Sequence, residues 1–297
     1  MLTGILAGLG AGAFWGLVFV APQMAPGLSS VDLTVGRFLS YALVSVLVMI
    51  VGPRAHRLPT PRQALFALGM SALGFTGYYL LLVLAINDIG AELPTLIIGA
   101  IPLLLMLLGK PRHLSWRGLV PGLVFTAAGL WLMMDITRGG ALPGMTPVFW
   151  RGIGLAVAAM LSWSAFALLN SRWLQRHPEI NATEWTNWLG VATGLGAMLL
   201  WAIGGSETKV LLALDSRAQA AIVCIATGIG SAWLGSILWN LASQRLSASL
   251  CGQLIVSETI FALLYSFAWD ARWPTSAQML ACVLFVAGIL ISIRAHR

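Results

Sequence analysis

Residues 91–105 read AELPTLIIGAIPLLL, and residues 247–261 read SASLCGQLIVSETIF. When the two stretches are aligned from their first residues, a short loop and the start of an apolar helix coincide, and Pro102 falls opposite Glu258. Each stretch begins a segment long enough to enter a bilayer, whose hydrocarbon core is spanned by about 20 apolar residues. The pair indicates that the chain contains the same membrane unit twice.

Two further pairs of segments come before these stretches, in the same order in each half. Residues 77–82, GYYLLL, align with residues 235–240, GSILWN. The GAFWG motif that contains Trp15 resembles the MLSWS motif that contains Trp163. Apolar sequences resemble one another by composition, but the shared order favours a duplication.

Composition places almost the whole chain in a membrane. Of its 297 residues, 59% are hydrophobic and 9% are charged, against about 25% charged residues in soluble domains. The mean hydropathy is +0.88. Five apolar segments fall in a first repeat, residues 1–138, and five in a second, residues 147–297, which predicts an all-α membrane protein of two five-helix halves. The predicted segments are Thr3–Pro22, Val31–Gly52, Ala64–Ile86, Glu92–Gly109, Leu114–Asp135, Phe149–Gln175, Ala182–Gly204, Ala218–Leu246, Ala248–Trp269 and Thr275–Ile293.

The odd number of helices in each half decides how the halves are oriented. A second copy that follows five spans is inserted upside down, and inverted repeats of this kind place a substrate site between them near the bilayer midplane. Basic residues concentrate in alternate loops, which stay in the cytoplasm, so both termini are predicted to be cytoplasmic. The net charge of +7 is then explained by topology, and no nucleic-acid partner is predicted. The basic residues of these loops are Arg54, Arg57, Arg62, Lys110, Arg112, Arg117, Arg172, Arg176, Arg245, Arg294 and Arg297.

Glu258 is the most informative single residue. It lies about eleven residues into the ninth segment, roughly 16 Å deep at 1.5 Å per residue. A charge at that depth costs on the order of 2.5–3.5 kcal/mol, so acidic residues there face a cavity or a partner. We therefore predict that Glu258 binds a substrate ammonium group or a proton, beside the amide of Gln253 and the hydroxyl of Ser257. The alternative is a structural carboxyl that is bonded to neighbouring helices.

Arg37 is the other charge well inside a predicted segment. It lies about six residues, or roughly 9 Å, from the start of the second segment. Two interpretations stay open: the side chain snorkels to the outer interface, or it pairs with Glu258 or with a substrate carboxylate.

Aromatic and amide side chains are predicted to line a central cavity. Trp163 and Asn170 share one helical face, as do Trp233 and Asn240, because residues seven apart lie two turns apart on the same side. Aromatic area with a few hydrogen-bonding groups suits a flat or amphipathic solute, and ordinary packing is the alternative. The remaining predicted cavity residues are Trp15, Tyr78, Tyr79 and Trp239.

Three other patterns concern structure. A stripe of Gly4, Gly8, Gly12 and Gly16 predicts the close approach of another helix. Pro94 and Pro102 are expected to bend the fourth segment. Six tryptophans near segment ends are expected to anchor the protein at the membrane interface. They are Trp116, Trp150, Trp173, Trp185, Trp269 and Trp273.

The sequence contains no motif of an enzyme. A His-Glu-x-x-His pair, a P-loop and a Gly-x-Ser-x-Gly elbow are all absent. The spacing of Cys224, Cys251 and Cys282 matches no zinc or redox pattern. No cofactor, metal or catalytic residue is therefore predicted, and without a nucleotide site ATP does not drive the chain unaided.

In several of these features, the chain resembles members of the drug/metabolite transporter superfamily, of the ten-span EamA-like type. The resemblance rests on the two five-helix halves, on Trp15 and Trp163, on the Gly-Arg-Phe of residues 36–38 and on Pro102. It covers the whole chain and implies a central cavity between the halves, through which family members move small metabolites.

The last part of the chain refines this resemblance. Residues 256–274 are similar to the variant ninth span of bacterial amino-acid exporters of the superfamily. A typical EamA member has Pro in place of Glu258 and Gly-Glu in place of Trp269 and Asp270. The resemblance implies export of a small metabolite from a bacterium, with amino acids as the first choice.

Together, these observations predict a secondary transporter of the bacterial inner membrane that exports small metabolites by alternating access. Amino acids, aromatic ones included, are the expected substrates, and a monomer in the lipid bilayer is the expected form. The alternatives are efflux of drugs or other metabolites, a membrane-embedded enzyme that acts on lipids, and a helper subunit.

Overall fold

The structure is a computed structural model that describes residues 1–52, 58–90, 92–112, 114–137, 146–271 and 273–296. Nine of its helices are long and apolar enough to cross a membrane, and a shorter apolar helix, Leu93–Leu108, accompanies them in the described ranges. The predicted all-α fold with ten membrane helices is confirmed. The ten spans are span 1 (Leu2–Phe19), span 2 (Ser30–Val51), span 3 (Pro61–Ile89), span 4 (Glu92–Ile98 with Ile101–Leu108), span 5 (Trp116–Thr137), span 6 (Pro147–Arg176), span 7 (Ala182–Gly204), span 8 (Arg217–Arg245), span 9 (Ala248–Asp270) and span 10 (Ser276–Ala295).

Short polar side chains set where many of the spans begin. Ser29, Asn181 and Ser247 each accept a hydrogen bond from a backbone N–H of the first helical turn. Thr60 and Thr275 form full capping boxes with a glutamine three residues later. Each such cap contributes roughly 0.5–2 kcal/mol to helix stability. The helix starts therefore follow local sequence as well as hydropathy.

The two halves interlock. Span 2 packs on span 7, span 4 on span 9 and span 5 on span 10, so each helix meets its counterpart from the other half. Span 1 also packs on span 8 and span 3 on span 6. At the contact between spans 2 and 7, the hydroxyl of Tyr41 donates to the carbonyl of Thr186 at 2.7 Å. This reciprocal packing is the arrangement that two inverted five-helix units produce.

Successive spans run in alternating directions, so the chain has a terminal face and a distal face. On the terminal face, the N–H of Ser249 at the start of span 9 donates to the carbonyl of Gly109, just beyond span 4, at 3.2 Å. On the distal face, Asp32 at the start of span 2 accepts from the hydroxyl of Ser206, just beyond span 7, at 2.6 Å. Both termini lie on the terminal face, and its cytoplasmic orientation stays a prediction.

Some features named above lie outside the described residues. They are Arg54, Arg57 and Arg297 of the charge pattern, and the junction between the two predicted repeats at residues 138–145. The division of the chain at that junction stays a prediction.

Spans 3 and 8 share an irregularity. A π-helical turn over Ala72–Thr76 ends at Gly77, and another over Gly228–Leu234 ends at Gly235. These are the two glycines that the sequence alignment places opposite each other. In span 3, the hydroxyl of Ser162 in span 6 donates to the carbonyl of Leu73 at 2.8 Å and satisfies an acceptor of the widened turn. The shared turn supports the predicted duplication.

Spans 4 and 9 differ although they correspond in sequence. Span 9 is one continuous helix, whereas span 4 is interrupted between Ile98 and Ile101. Pro102 occupies the first turn of the second piece, where its missing N–H removes no helical bond. The predicted bend in the fourth segment is confirmed.

The glycine stripe of span 1 lies directly against span 9. A Cβ at Gly12 would lie 3.0 Å from the backbone nitrogen of Glu258, and one at Gly16 would lie 2.9 Å from that of Ala262. Because only hydrogen fits at these positions, the two helices approach closely, as the stripe predicts.

Two of the six tryptophans predicted to be interfacial anchors are covered, wholly or in part, by neighbouring helices. Trp185 is fully buried, and its indole N–H donates to Asn170 at 2.7 Å. Trp173 stacks on Phe66 with ring centroids 4.2 Å apart. Position near a helix end does not separate interfacial anchors from side chains that neighbouring helices cover. The other four, Trp116, Trp150, Trp269 and Trp273, are exposed.

Candidate functional site

Three tryptophans from three different spans meet inside the bundle. The rings of Trp15 and Trp163 are 6.2 Å apart, those of Trp15 and Trp239 5.4 Å, and those of Trp163 and Trp239 6.0 Å. Trp15 and Trp163 are half-buried, whereas Trp239 is 3% exposed. We call Trp15, Trp163 and Trp239 the tryptophan cluster. It joins spans 1, 6 and 8, so both halves contribute to it.

A second group contains the charges of the membrane interior. Arg37 of span 2, Tyr78 of span 3 and Glu258 of span 9 interact electrostatically with one another. In the described part of the chain, none of the three side chains makes a hydrogen bond or an ion pair, and the Nε of Arg37 is buried without a partner. We call Arg37, Tyr78 and Glu258 the open polar group.

All three side chains of this group are half-buried. Within the described residues, no protein group satisfies their polar atoms, so these atoms are available to water or to a polar solute.

The open polar group and the tryptophan cluster are neighbours. Glu258 packs by its backbone against Gly12, one helical turn before Trp15 on span 1. From Trp163, a row of aromatic rings leads to Arg37 through Phe166, Phe75 and Phe38, with successive centroids 5.5–6.1 Å apart. The guanidinium of Arg37 lies 4.9 Å from the ring centroid of Phe38. The site is therefore an aromatic wall with one positive and one negative group beside it.

A buried apolar cluster lies on the side of the site toward the terminal face. Ile5, Leu105, Leu246, Leu250 and Leu254, from spans 1, 4 and 9 and the end of span 8, pack in one apolar cluster. Each is exposed by 6% or less. We call these five residues the terminal plug.

Toward the distal face, the side chains stay accessible. Phe261 and Tyr265 continue the face of Glu258 along span 9, and both are half-buried. Their rings stack with centroids 6.2 Å apart. The two sides of the site thus differ: a buried apolar cluster lies toward the terminal face, and half-buried aromatic side chains lie toward the distal face.

The predicted site residues Asn170 and Asn240 lie in a closed network. The amide of Asn170 donates to Asn240 at 2.9 Å, and the amide of Asn240 donates to Thr186 at 2.9 Å. Asn170 also accepts from the indole of Trp185. Both asparagines are exposed by 1% or less. Their polar groups join spans 6, 7 and 8 and are already engaged.

Gln253 and Ser257 are engaged as well. Gln253 is fully buried, donates to Thr126 at 2.8 Å and accepts from Ser292 at 3.1 Å, so it joins span 9 to spans 5 and 10. The hydroxyl of Ser257 donates to the carbonyl of Leu254 at 2.7 Å. Gln253 is bonded to neighbouring helices and Ser257 to its own helix, and both contacts are complete without a ligand.

Tyr78 and Tyr79 are adjacent in sequence but have different surroundings. The hydroxyl of Tyr79 donates to the carbonyl of Ser30 at the start of span 2, and its ring meets that of Phe38. Tyr78 belongs to the open polar group. Of the two, only Tyr78 has a free hydroxyl within the described residues.

Arg37 is a candidate site residue whose role the sequence left open. Its depth was compatible with snorkelling, but its guanidinium lies inside the bundle. The available signal was the charge itself, six residues into an apolar helix.

Within the described ranges, no three His, Cys, Asp or Glu side chains are placed to hold a metal ion.

The fold and the site together define a membrane transporter made of two inverted five-helix halves. Comparison with protein families agrees, because two segments of the chain, residues 2–135 and 150–294, match the EamA-like transporter family. The chain belongs to this family, and the predicted resemblance is confirmed.

Two individual proteins extend this comparison. Inner membrane protein YtfF of Escherichia coli (strain K12) is 29% identical over 309 residues, which cover 99% of this chain and 96% of the relative. With the apolar helices, it confirms the predicted location, a multi-pass protein of the bacterial inner membrane. A protein of known crystal structure has a TM-score of 0.76 and 21% identity, covers 99% of both chains and bears on the fold alone.

Proposed function

We propose that this protein is a secondary transporter that exports small metabolites across the inner membrane, and that amino acids, aromatic ones included, are its substrates. One observation carries the proposal. A positive and a negative side chain lie accessible and unpaired beside an aromatic wall, in the membrane interior and between the two halves. Keeping such charges without partners costs free energy, and a solute with matching groups offsets that cost when it binds.

Alternating access fits the way the spans are packed. In the proposed cycle, the structure corresponds to the state in which the terminal plug closes one side and the distal side is open. The contacts of span 1 with span 8 and of span 3 with span 6 are counterparts under the inverted repeat. A state that exchanges these two environments would close the distal side and release the plug, as in other transporters with inverted repeats.

Flux into liposomes tests the proposal. Purified protein is reconstituted, and the uptake of a labelled panel of aromatic, aliphatic, polar and charged amino acids is compared with that of empty liposomes. We expect uptake of aromatic and large aliphatic amino acids above the background. A panel that passes no faster than through empty liposomes refutes the substrate class.

A drug cation is the second candidate substrate, because Glu258 beside three tryptophans also suits an organic amine. An aromatic cation in the same assay separates the two. Glu258→Gln should abolish the flux of a cation, whereas an amino acid held by several groups should keep a residual flux. The same liposomes also test for catalysis, since a lipid enzyme would convert lipid and a transporter leaves the lipid composition unchanged.

A further inference from the structure

Arg37 is placed to bind an anion rather than to snorkel. Its Nε is buried without a partner, and its guanidinium lies 4.9 Å from the centroid of the Phe38 ring inside the bundle. A guanidinium presents a planar fork of donors that matches a carboxylate with two parallel hydrogen bonds. The donors that the described protein leaves free are therefore those that a carboxylate would use.

Glu258 is the complementary half of the arrangement. It interacts with Arg37 through its charge, but the two side chains form no ion pair in the described structure. The charges come from spans 2 and 9, one in each half of the chain. A direct ion pair would fill this gap with protein, whereas two separated charges leave room for a bridging molecule.

We infer that Arg37 is the carboxylate subsite and Glu258 the ammonium subsite of a zwitterionic α-amino acid. This assignment rests on the proposed function and makes it more specific. The side chain of the bound amino acid then faces the tryptophan cluster, which adjoins Glu258 across Gly12. Tyr78, whose hydroxyl is free in the described structure, adds a hydrogen bond to one of the charged groups.

Charge balance gives the assignment its selectivity. A zwitterion neutralises both side chains, whereas an amine leaves Arg37 unmatched and an anion leaves Glu258 unmatched. An unmatched charge in a site of low dielectric is penalised strongly. Both single-charge analogues should therefore bind more weakly than the parent amino acid, even though all three have the same side chain.

The test uses matched ligands and matched variants. Phenylalanine and leucine, their α-carboxamides and their N-acetyl derivatives compete with labelled amino-acid flux in wild-type protein and in Arg37→Gln, Arg37→Lys and Glu258→Gln. Arg62→Gln is the control, because Arg62 is an exposed arginine at the start of span 3 and away from the site. Melting of each purified variant without ligand reports on folding.

In wild type and in the control, we expect both derivatives to compete at least about tenfold more weakly than the parent, a difference of about 1.4 kcal/mol. Arg37→Gln should weaken competition by the parent amino acid but not competition by the carboxamide, so that the preference for the parent disappears. Arg37→Lys should restore part of that preference. Glu258→Gln should remove the preference over the N-acetyl derivative.

Two outcomes overturn the assignment while the proposed function stands. One is wild-type protein that carries amino acids but accepts the carboxamide equally well, a result that needs no variant. The other is a folded Arg37→Gln protein in which competition by the parent and competition by the carboxamide fall by the same factor. Absence of any amino-acid flux in wild type refutes the proposed function, and the assignment with it.

Discussion

Two regions of this membrane interior contain polar side chains, but they differ in how the hydrogen-bonding groups of those side chains are satisfied. Between spans 6, 7 and 8, Asn170, Asn240, Thr186 and Trp185 satisfy one another. Between spans 2, 3 and 9, the side chains of Arg37, Tyr78 and Glu258 have no hydrogen-bonding partner in the described structure. We call the first region the closed network.

The difference separates the residues that hold the bundle together from those that are available to a solute. A satisfied polar group in a low-dielectric interior resists change, because removing one member leaves another unpaired. An unsatisfied charge weakens the fold and stays useful only if something else binds to it. Mutations in the closed network should therefore change stability, whereas mutations in the open polar group should change transport.

Glu258→Leu should give the largest effect. Flux is expected to fall to the level of empty liposomes, because the negative half of the site is gone. Melting of the purified protein should stay the same or rise, since an uncompensated charge costs on the order of 2.5–3.5 kcal/mol at this depth. A large fall in melting temperature would show instead that Glu258 is a structural carboxyl and would erase the contrast between the regions.

Asn170→Leu should give the largest effect on stability. The change leaves the indole N–H of Trp185 and one acceptor of Asn240 without partners. Each buried orphan costs about 1–3 kcal/mol, so the melting temperature in detergent should fall clearly. Flux per folded molecule should persist. If the Asn170→Leu protein has normal stability but has lost flux, Asn170 would instead be assigned to the substrate site.

Gln253→Leu should destabilise less. Its partners Thr126 and Ser292 are hydroxyls, which can turn to carbonyls of their own helices, so the loss should be about 1 kcal/mol. Thermal melting measures it, and the preference for one amino acid over another should not change. A changed preference at unchanged stability would indicate that the solute reaches Gln253.

Asp88→Asn should have the smallest effect. Asp88 at the end of span 3 accepts two hydrogen bonds from Arg151 at the start of span 6, at 2.6 and 2.8 Å, on the distal face. Water screens such an exposed pair, so neither the melting temperature nor the set of transported solutes should change. An altered flux with unchanged binding would assign this pair to closure of the distal face.

Much of the fold could be predicted from local sequence. Ala182–Gly204 was predicted as a span and is observed with the same bounds. The cap at Asn181 determines where this helix begins, and the polar residues beyond Gly204 determine where it ends. The interruption in span 4 was likewise signalled by Pro102. In both cases, the deciding groups are within a few residues of the feature that they decide.

The candidate site was harder to predict because it depends on which neighbour covers each helical face. Asn170 and Trp163 share a face of span 6, yet the amide of Asn170 meets Asn240 and Trp185 while the ring of Trp163 meets Trp15. Helical periodicity groups such residues but does not say where one neighbouring helix ends and an internal space begins. Arg37 was ambiguous for the same reason, since depth alone does not choose between the interface and the interior.

The π-helical turn of span 3 also sets the direction in which the side chains after it point around the helix axis. One residue advances an α-helix by about 100°, so the extra residue of a π turn rotates everything that follows it. Tyr78 comes immediately after this turn, at the second residue of the helix Gly77–Ile89. Deleting one residue within Ala72–Thr76 would straighten span 3 and turn Tyr78 away from Glu258, without replacing any side chain of the site.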